Sequence, residues 1–117
     1  MNLSQIIKSL VSEIKLTEIQ SKIFLHIVIN GKMNASKLAS DLNISTDDAT
    51  SNSKKLVDFG GFIDMPNDEF ETMHPRFSAV NMYRRMCERE QITFKKNLKV
   101  DNIGVMLERS YDAARTK

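Results

Sequence analysis

The chain predicts a mainly α domain that carries one small β-hairpin. Three observations lead there. Apolar residues recur at three- and four-residue spacing through most of the chain, the period of helices that bury one face. Two such segments are joined by the short polar turn Asn43-Ile44-Ser45, which holds a single aliphatic residue. Directly after Gly60-Gly61 the apolar period shortens, and a Pro-Asn-Asp-Glu turn separates two short runs, as in a hairpin.

Taken in order, residues 3–14 place Leu3, Ile6, Ile7, Leu10, Val11 and Ile14 on one stripe of an amphipathic helix. Thr17 with Gln20 is a capping-box pair, each side chain satisfying the other's backbone N–H. The helix they open runs through Ile19, Ile23, Phe24, Ile27 and Val28 and stops at Asn30-Gly31, where a left-handed residue ends a helix at little cost. Residues 34–42 form a two-turn helix burying Leu38, Ala39 and Leu42. Ser45 caps the next helix, residues 46–59, with Asp48 at the acid position of the box and Gly60-Gly61 as its stop. Two short helices across a tight turn make a helix-turn-helix. Phe62–Met65 and Phe70–Met73 then pair around the Pro66–Glu69 turn, and a hairpin in that place is a wing.

Helix resumes at Pro75, a residue suited to a first turn. Val80, Tyr83, Met86, Cys87, Phe94 and Leu98 form one stripe; Ile103, Met106, Leu107, Tyr111 and Ala114 form another. Residues 76–116 are therefore one long C-terminal helix or a helix pair, with a break expected near Lys99–Asn102 and Asp101 as the new cap. The organisation expected is a winged helix-turn-helix domain with its N-terminal helix over residues 1–75, followed by a basic helical extension over 76–117 that dimerises.

Charge is divided unevenly. Residues 1–75 hold seven lysines, no arginine and ten acids, a net of −3; residues 76–117 hold six arginines, four lysines and five acids, a net of +5. Polyanion binding needs positive charge at the point of contact, so this split bears on any nucleic-acid role. No apolar run approaches the ~20 residues of a bilayer span, and the N-terminus lacks the basic and small-residue features of a signal peptide. The single cysteine excludes an internal disulfide and suits a reducing compartment, so a cytoplasmic location without membrane contact is expected.

The run LTEIQSKIFLHIVINGKMNASKLASDLNISTDDATSNSKKLVDFGGFI resembles winged-helix transcriptional regulators of the TrmB type, common in archaea, and more loosely the MarR type. Leu16-Thr17, Phe24, Gly31 before the ASKLA helix, Ile44-Ser45, Leu56 and Gly60 carry the resemblance, over roughly residues 16–74. The resemblance implies a short form, without the effector domain of long TrmB proteins. The resemblance implies a homodimeric regulator of double-stranded DNA whose third core helix, residues 46–59, enters the major groove. It assigns Lys37, Thr46, Thr50, Ser51, Asn52, Lys54 and Lys55 to DNA, with Asp47 also facing the groove. Ala49, Ser53 and Leu56 face the core, Ser53 standing where an aliphatic is usual. Arg84 and Arg85 are candidate phosphate contacts, unless they only solvate a helix face and pair with Glu88. Leu3, Ile7, Leu10, Val80, Tyr83, Cys87, Phe94, Leu98, Met106 and Tyr111 form the expected dimer interface, coiled-coil in style.

Two features cut against routine DNA reading. Asp47 and Asp48 sit at the tip of the recognition helix, though acids there also favour the helix dipole, and Asp68 and Glu69 occupy the wing turn. The alternative is a winged-helix protein-interaction module whose acidic head meets a basic partner. His26, His74 and Cys87 share no metal-ligand spacing: His26 reads as a packed ring, His74 as an extended residue before proline, Cys87 as a small hydrophobe. No phosphate loop, nucleophile elbow or paired-acid motif occurs, so neither an enzyme nor a cofactor is expected. No polar cluster marks an effector site.

Overall fold

The computed structural model describes residues 2–116. Six helices and three short strands follow one another as α1 (Leu3–Ile14), α2 (Glu18–Asn30), β1 (Met33–Asn34), α3 (Ala35–Leu42), α4 (Thr46–Asp58), β2 (Ile63–Met65), β3 (Glu69–Glu71), α5 (Pro75–Glu90) and α6 (Leu98–Arg115). The mainly helical chain with a small sheet is thus as expected.

Local chemistry sets the helix ends. The Thr17 hydroxyl accepts from the Gln20 N–H at 3.1 Å, and Gln20 Oε1 accepts from the Thr17 N–H at 3.0 Å, completing the capping box. Gly31 closes α2 with φ 95°, a left-handed conformation that a Cβ would strain. The Asn34 and Ser45 side chains accept from Lys37 N–H and Asp48 N–H and so open α3 and α4. Asn43 adopts φ 57° between them, and Ile44 half-buries against the core.

The antiparallel sheet has the order β1-β3-β2, with Met33 opposite Phe70 and Asp64 opposite Phe70. Its first strand lies outside the expected hairpin: Met33–Asn34, two residues before α3, add a third strand to it. The strands are shorter than expected at the ends away from the turn, where Phe62, Thr72 and Met73 fall outside them, while Glu69, expected in the turn, joins β3; Pro66–Asp68 form the tip, with Asn67 and Asp68 left-handed. Phe62 stacks between Phe24 and Phe70 at 6.2 and 6.1 Å between ring centroids, which ties the sheet to α2.

The tail breaks earlier than expected. Gln91 ends α5 with φ 55°, residues 92–97 run without regular structure, and the Asn97 carboxamide oxygen opens α6 by accepting from Lys99 N–H and Val100 N–H. Asp101 is not the cap; it lies inside the first turn and pairs with Lys96 at 3.2 Å. Asn97 is held in place by donating to Glu13 at 3.0 Å, a contact from α1 that local spacing does not encode.

Nor does the tail stand apart from the head. α6 packs on α1, α2 and α5, and one cluster of buried side chains includes Ile6, Ile27, Leu56, Met82, Ile103 and Leu107. The division at residue 75 is a division of sequence, not of the core. α5 crosses α6 at Gly104, where an added Cβ would lie 2.6 Å from the Arg76 Cα.

One internal cation joins these layers. Arg115, in the last turn of α6, has a side chain only 18% exposed. Its guanidinium donates to Val28 O at 2.8 Å, Ile27 O at 3.0 Å and Tyr111 O at 3.2 Å, pairs with Glu71 of β3, and lies 3.8 Å over the Tyr111 ring. It thus adds a cation to the last turns of α2 and α6, where partial negative charge accumulates.

Candidate nucleic-acid interface

α4 is anchored by Ala49, Ser53 and Leu56, each fully buried, on the face expected. Its opposite side carries Thr46, Thr50 and Lys54 at four-residue spacing, and these line a groove whose other wall is the β2–β3 hairpin with Asp64 and Asp68. Ala35 from the first turn of α3, Met65 and Phe70 also line it. Ser51, Lys54 and Lys55 are exposed and Thr50 is half-buried. Five of the seven residues assigned to DNA (Thr46, Thr50, Ser51, Lys54 and Lys55) are therefore presented on or beside one outward surface of α4.

Asn52 and Lys37 differ. Asn52 accepts from Gln20 Nε2 at 3.3 Å and donates to Asp48 O at 2.9 Å; its carboxamide is turned onto α2 and its own helix, so it is not free to pair with a base edge. Lys37 donates to Asp41 at 2.9 Å, and Asp41 also takes His26 Nε2 at 2.8 Å. The hydrogen bond from His26, and then that from Lys37, hold the Asp41 carboxyl below its ordinary value. His26 is thereby a strut between α2 and α3. The spacing of residues 26 and 41 gave no sign of it, because the pair is long-range.

Arg84 and Arg85 do not reach the groove. Arg85 donates to Asp58 O at 3.0 Å, at the C-terminal end of α4, while the groove involves residues 46–54 of that helix. Arg84 pairs with Glu88 at 3.2 Å and with Asn81. Arg89 lies 4.2 Å over the Phe59 ring. Arg85 and Arg89 therefore hold the end of α4, where cations complement the helix dipole, and Arg84 is engaged within α5; none of the three extends the outward face of α4.

The charge of the groove is unfavourable to phosphate. Lys54 is outnumbered by Asp64 and Asp68 in the lining; Asp47 and Asp48 stand in the first turn of α4, and Glu69 follows the hairpin tip.

The residues assigned to a self-interface divide. Leu10 and Cys87 are 0% and 1% exposed and belong to the chain's own interior, so they cannot meet a second copy. Ile7, Val80, Tyr83 and Tyr111 are half-buried against that same core, and the Tyr111 hydroxyl donates to Thr72 O. Leu3, Phe94, Leu98 and Met106 remain exposed, Leu98 at 68%. An apolar stripe signals burial without saying against what, which is why core and interface residues read alike.

His74 opens α5 by accepting from Arg76 N–H and packs edge-on to Tyr111 at 5.2 Å between ring centroids. Among the described residues, no group of three or more His, Cys, Asp or Glu is placed to hold a metal ion, and no helix is long and apolar enough to cross a membrane. No family model, curated protein or solved structure matches the chain.

Proposed function

We propose that the chain is a winged helix-turn-helix DNA-binding regulator, similar to the short TrmB type, that acts as a homodimer with α4 in the major groove. The observation that carries this reading is the outward stripe Thr46, Thr50 and Lys54 of α4 beside the β2–β3 hairpin, in a chain ordered α2-β1-α3-α4-β2-β3 with sheet order β1-β3-β2. A helix exposed next to a hairpin offers hydroxyls and a lysine to a groove wide enough for one helix. Thr50 and Ser51 would hydrogen-bond to base edges or phosphates, and Lys54 and Lys55 would neutralise phosphates. Exposed Leu3, Phe94, Leu98 and Met106 would supply apolar contacts for a second copy.

The test is fluorescence anisotropy of a random duplex across a salt series. Affinity falls as salt rises, with a log–log slope of about −0.9 per phosphate neutralised. Reversing Lys54 and Lys55 to Glu removes most binding and lowers the slope by about 2. Reversing Arg84 and Arg85 has a smaller effect, because they lie at the far end of α4.

A second reading is favoured by Asp47, Asp48, Asp64, Asp68 and Glu69 around the groove: a winged helix that binds a basic protein partner. If micromolar protein shifts no duplex even at low salt, the DNA reading fails and the protein-interaction reading stands.

A further inference from the structure

The segment between α5 and α6 is unlike the rest of the surface. Residues 92–97 form neither helix nor strand, and Ile92, Phe94 and the adjoining Leu98 are 49%, 48% and 68% exposed. Lys95, Lys96 and Lys99 alternate with them. Exposed apolar residues in one place, rimmed by charge, mark an interaction surface.

The groove between α4 and the hairpin has both characters in its lining: Ala35, Met65 and Phe70 are apolar, and Asp64 and Asp68 outnumber Lys54. The strap is held to its own chain elsewhere. Phe94 lies 5.8 Å from the Tyr83 ring, Lys96 pairs with Asp101 and Asn97 is bonded to Glu13, and none of these neighbours lines the groove. A strap seated in a groove therefore comes from another molecule.

We propose that the basic strap 92–99 of one copy docks in the acidic groove of a second copy. The strap carries Lys95, Lys96 and Lys99 and the groove Asp64 and Asp68 against Lys54, so the contact brings opposite charges together. With one strap and one groove per copy, a two-fold arrangement makes the contact twice and closes. The docked strap covers Thr46, Thr50 and Lys54, so this association is a resting state distinct from the DNA-bound homodimer proposed above, and it competes with duplex for one face of α4. Only that competition rests on the DNA reading; the self-docking stands without it.

The experiment is sedimentation of the full chain at low and high salt, with charge-reversal variants. K95E/K96E alters the strap. D64K/D68N alters the groove, with Asn chosen at 68 because that residue is left-handed at φ 58° and Asn tolerates it. Wild type forms a concentration-dependent dimer that weakens as salt rises. Each variant weakens association about tenfold, and the two variants mixed, altered strap to altered groove, restore a heterodimer. Circular dichroism confirms that each variant is folded. A wild type that stays monomeric, a dimer indifferent to both variants, or a mixture that fails to recover association overturns the proposal. Duplex titration then reads the competition: affinity per protomer rises in K95E/K96E relative to wild type. If no variant binds duplex, the DNA reading has failed, and the sedimentation result still decides the docking.

Discussion

Replacing Arg115 by alanine is the sharpest test of how this fold is held. The guanidinium serves three backbone carbonyls and the Glu71 carboxylate from a position 18% exposed. A hydrogen bond to a charged group contributes about 1.5–3 kcal/mol; the four here share one cation, so their energies do not add. Breaking a largely buried pair while leaving its carboxylate behind costs about 3–5 kcal/mol. Water can enter at the exposed edge and replace part of the loss, which places Arg115→Ala at about 3 kcal/mol. For a chain of this length that lowers Tm by roughly 12 °C. Arg115→Lys keeps the charge but not the planar fork and recovers about half. Urea unfolding followed by circular dichroism measures both. A loss below about 1 kcal/mol, or a lysine variant as stable as wild type, would refute the assignment of Arg115 as a clamp on two helix ends.

Other expectations follow from single contacts. Gly104→Ala improves helix propensity by about 1 kcal/mol, yet its Cβ meets the Arg76 backbone at 2.6 Å; the net result is destabilisation by about 2 kcal/mol, and a stabilised variant would deny the close crossing. The Ser53 hydroxyl is fully buried without a hydrogen-bond partner, so Ser53→Ala raises stability by up to about 1 kcal/mol in the same urea assay, whereas a loss would show a partner for the hydroxyl. The carboxyl of Glu13 is held below its ordinary value, chiefly by the Asn97 hydrogen bond and then by that from Ser12. A carboxyl depressed in the folded state leaves the unfolded chain binding more protons in acid. Its contribution is therefore full above the ordinary glutamate range and is lost as pH falls through and below it. Glu13→Gln flattens that acid limb of the urea midpoint against pH, and an unchanged limb would remove Glu13 from the account.

Where structure is set by neighbours in sequence, it was legible. Thr17 with Gln20, the Ser45 cap and the Gly31 stop lie where backbone chemistry requires them, and Pro66–Asp68 turns the chain between its strands. β1 was hidden because two residues cannot display a period and Asn34 reads as the start of the helix that follows. The start of α6 was displaced because Asn97 and Asp101 are both capping residues, and only the long-range bond from Asn97 to Glu13 chooses between them. Of the candidate site, the outward side of α4 was expected from the resemblance to winged-helix regulators. That Asn52 turns inward to Gln20, that Arg85 reaches Asp58, and that Leu10 and Cys87 are interior all depend on tertiary neighbours. Arg115 left no local trace: an isolated cation in a helix reads as a surface charge.

The burial of Cys87 has a use of its own. As the chain's one thiol, sealed at 1% exposure on α5, it reacts with an alkylating probe only during excursions that lift α5 from its bed. The rate of modification then counts those excursions and gives their free energy directly. Without any engineered label, the molecule carries a clock on the opening of its own interior.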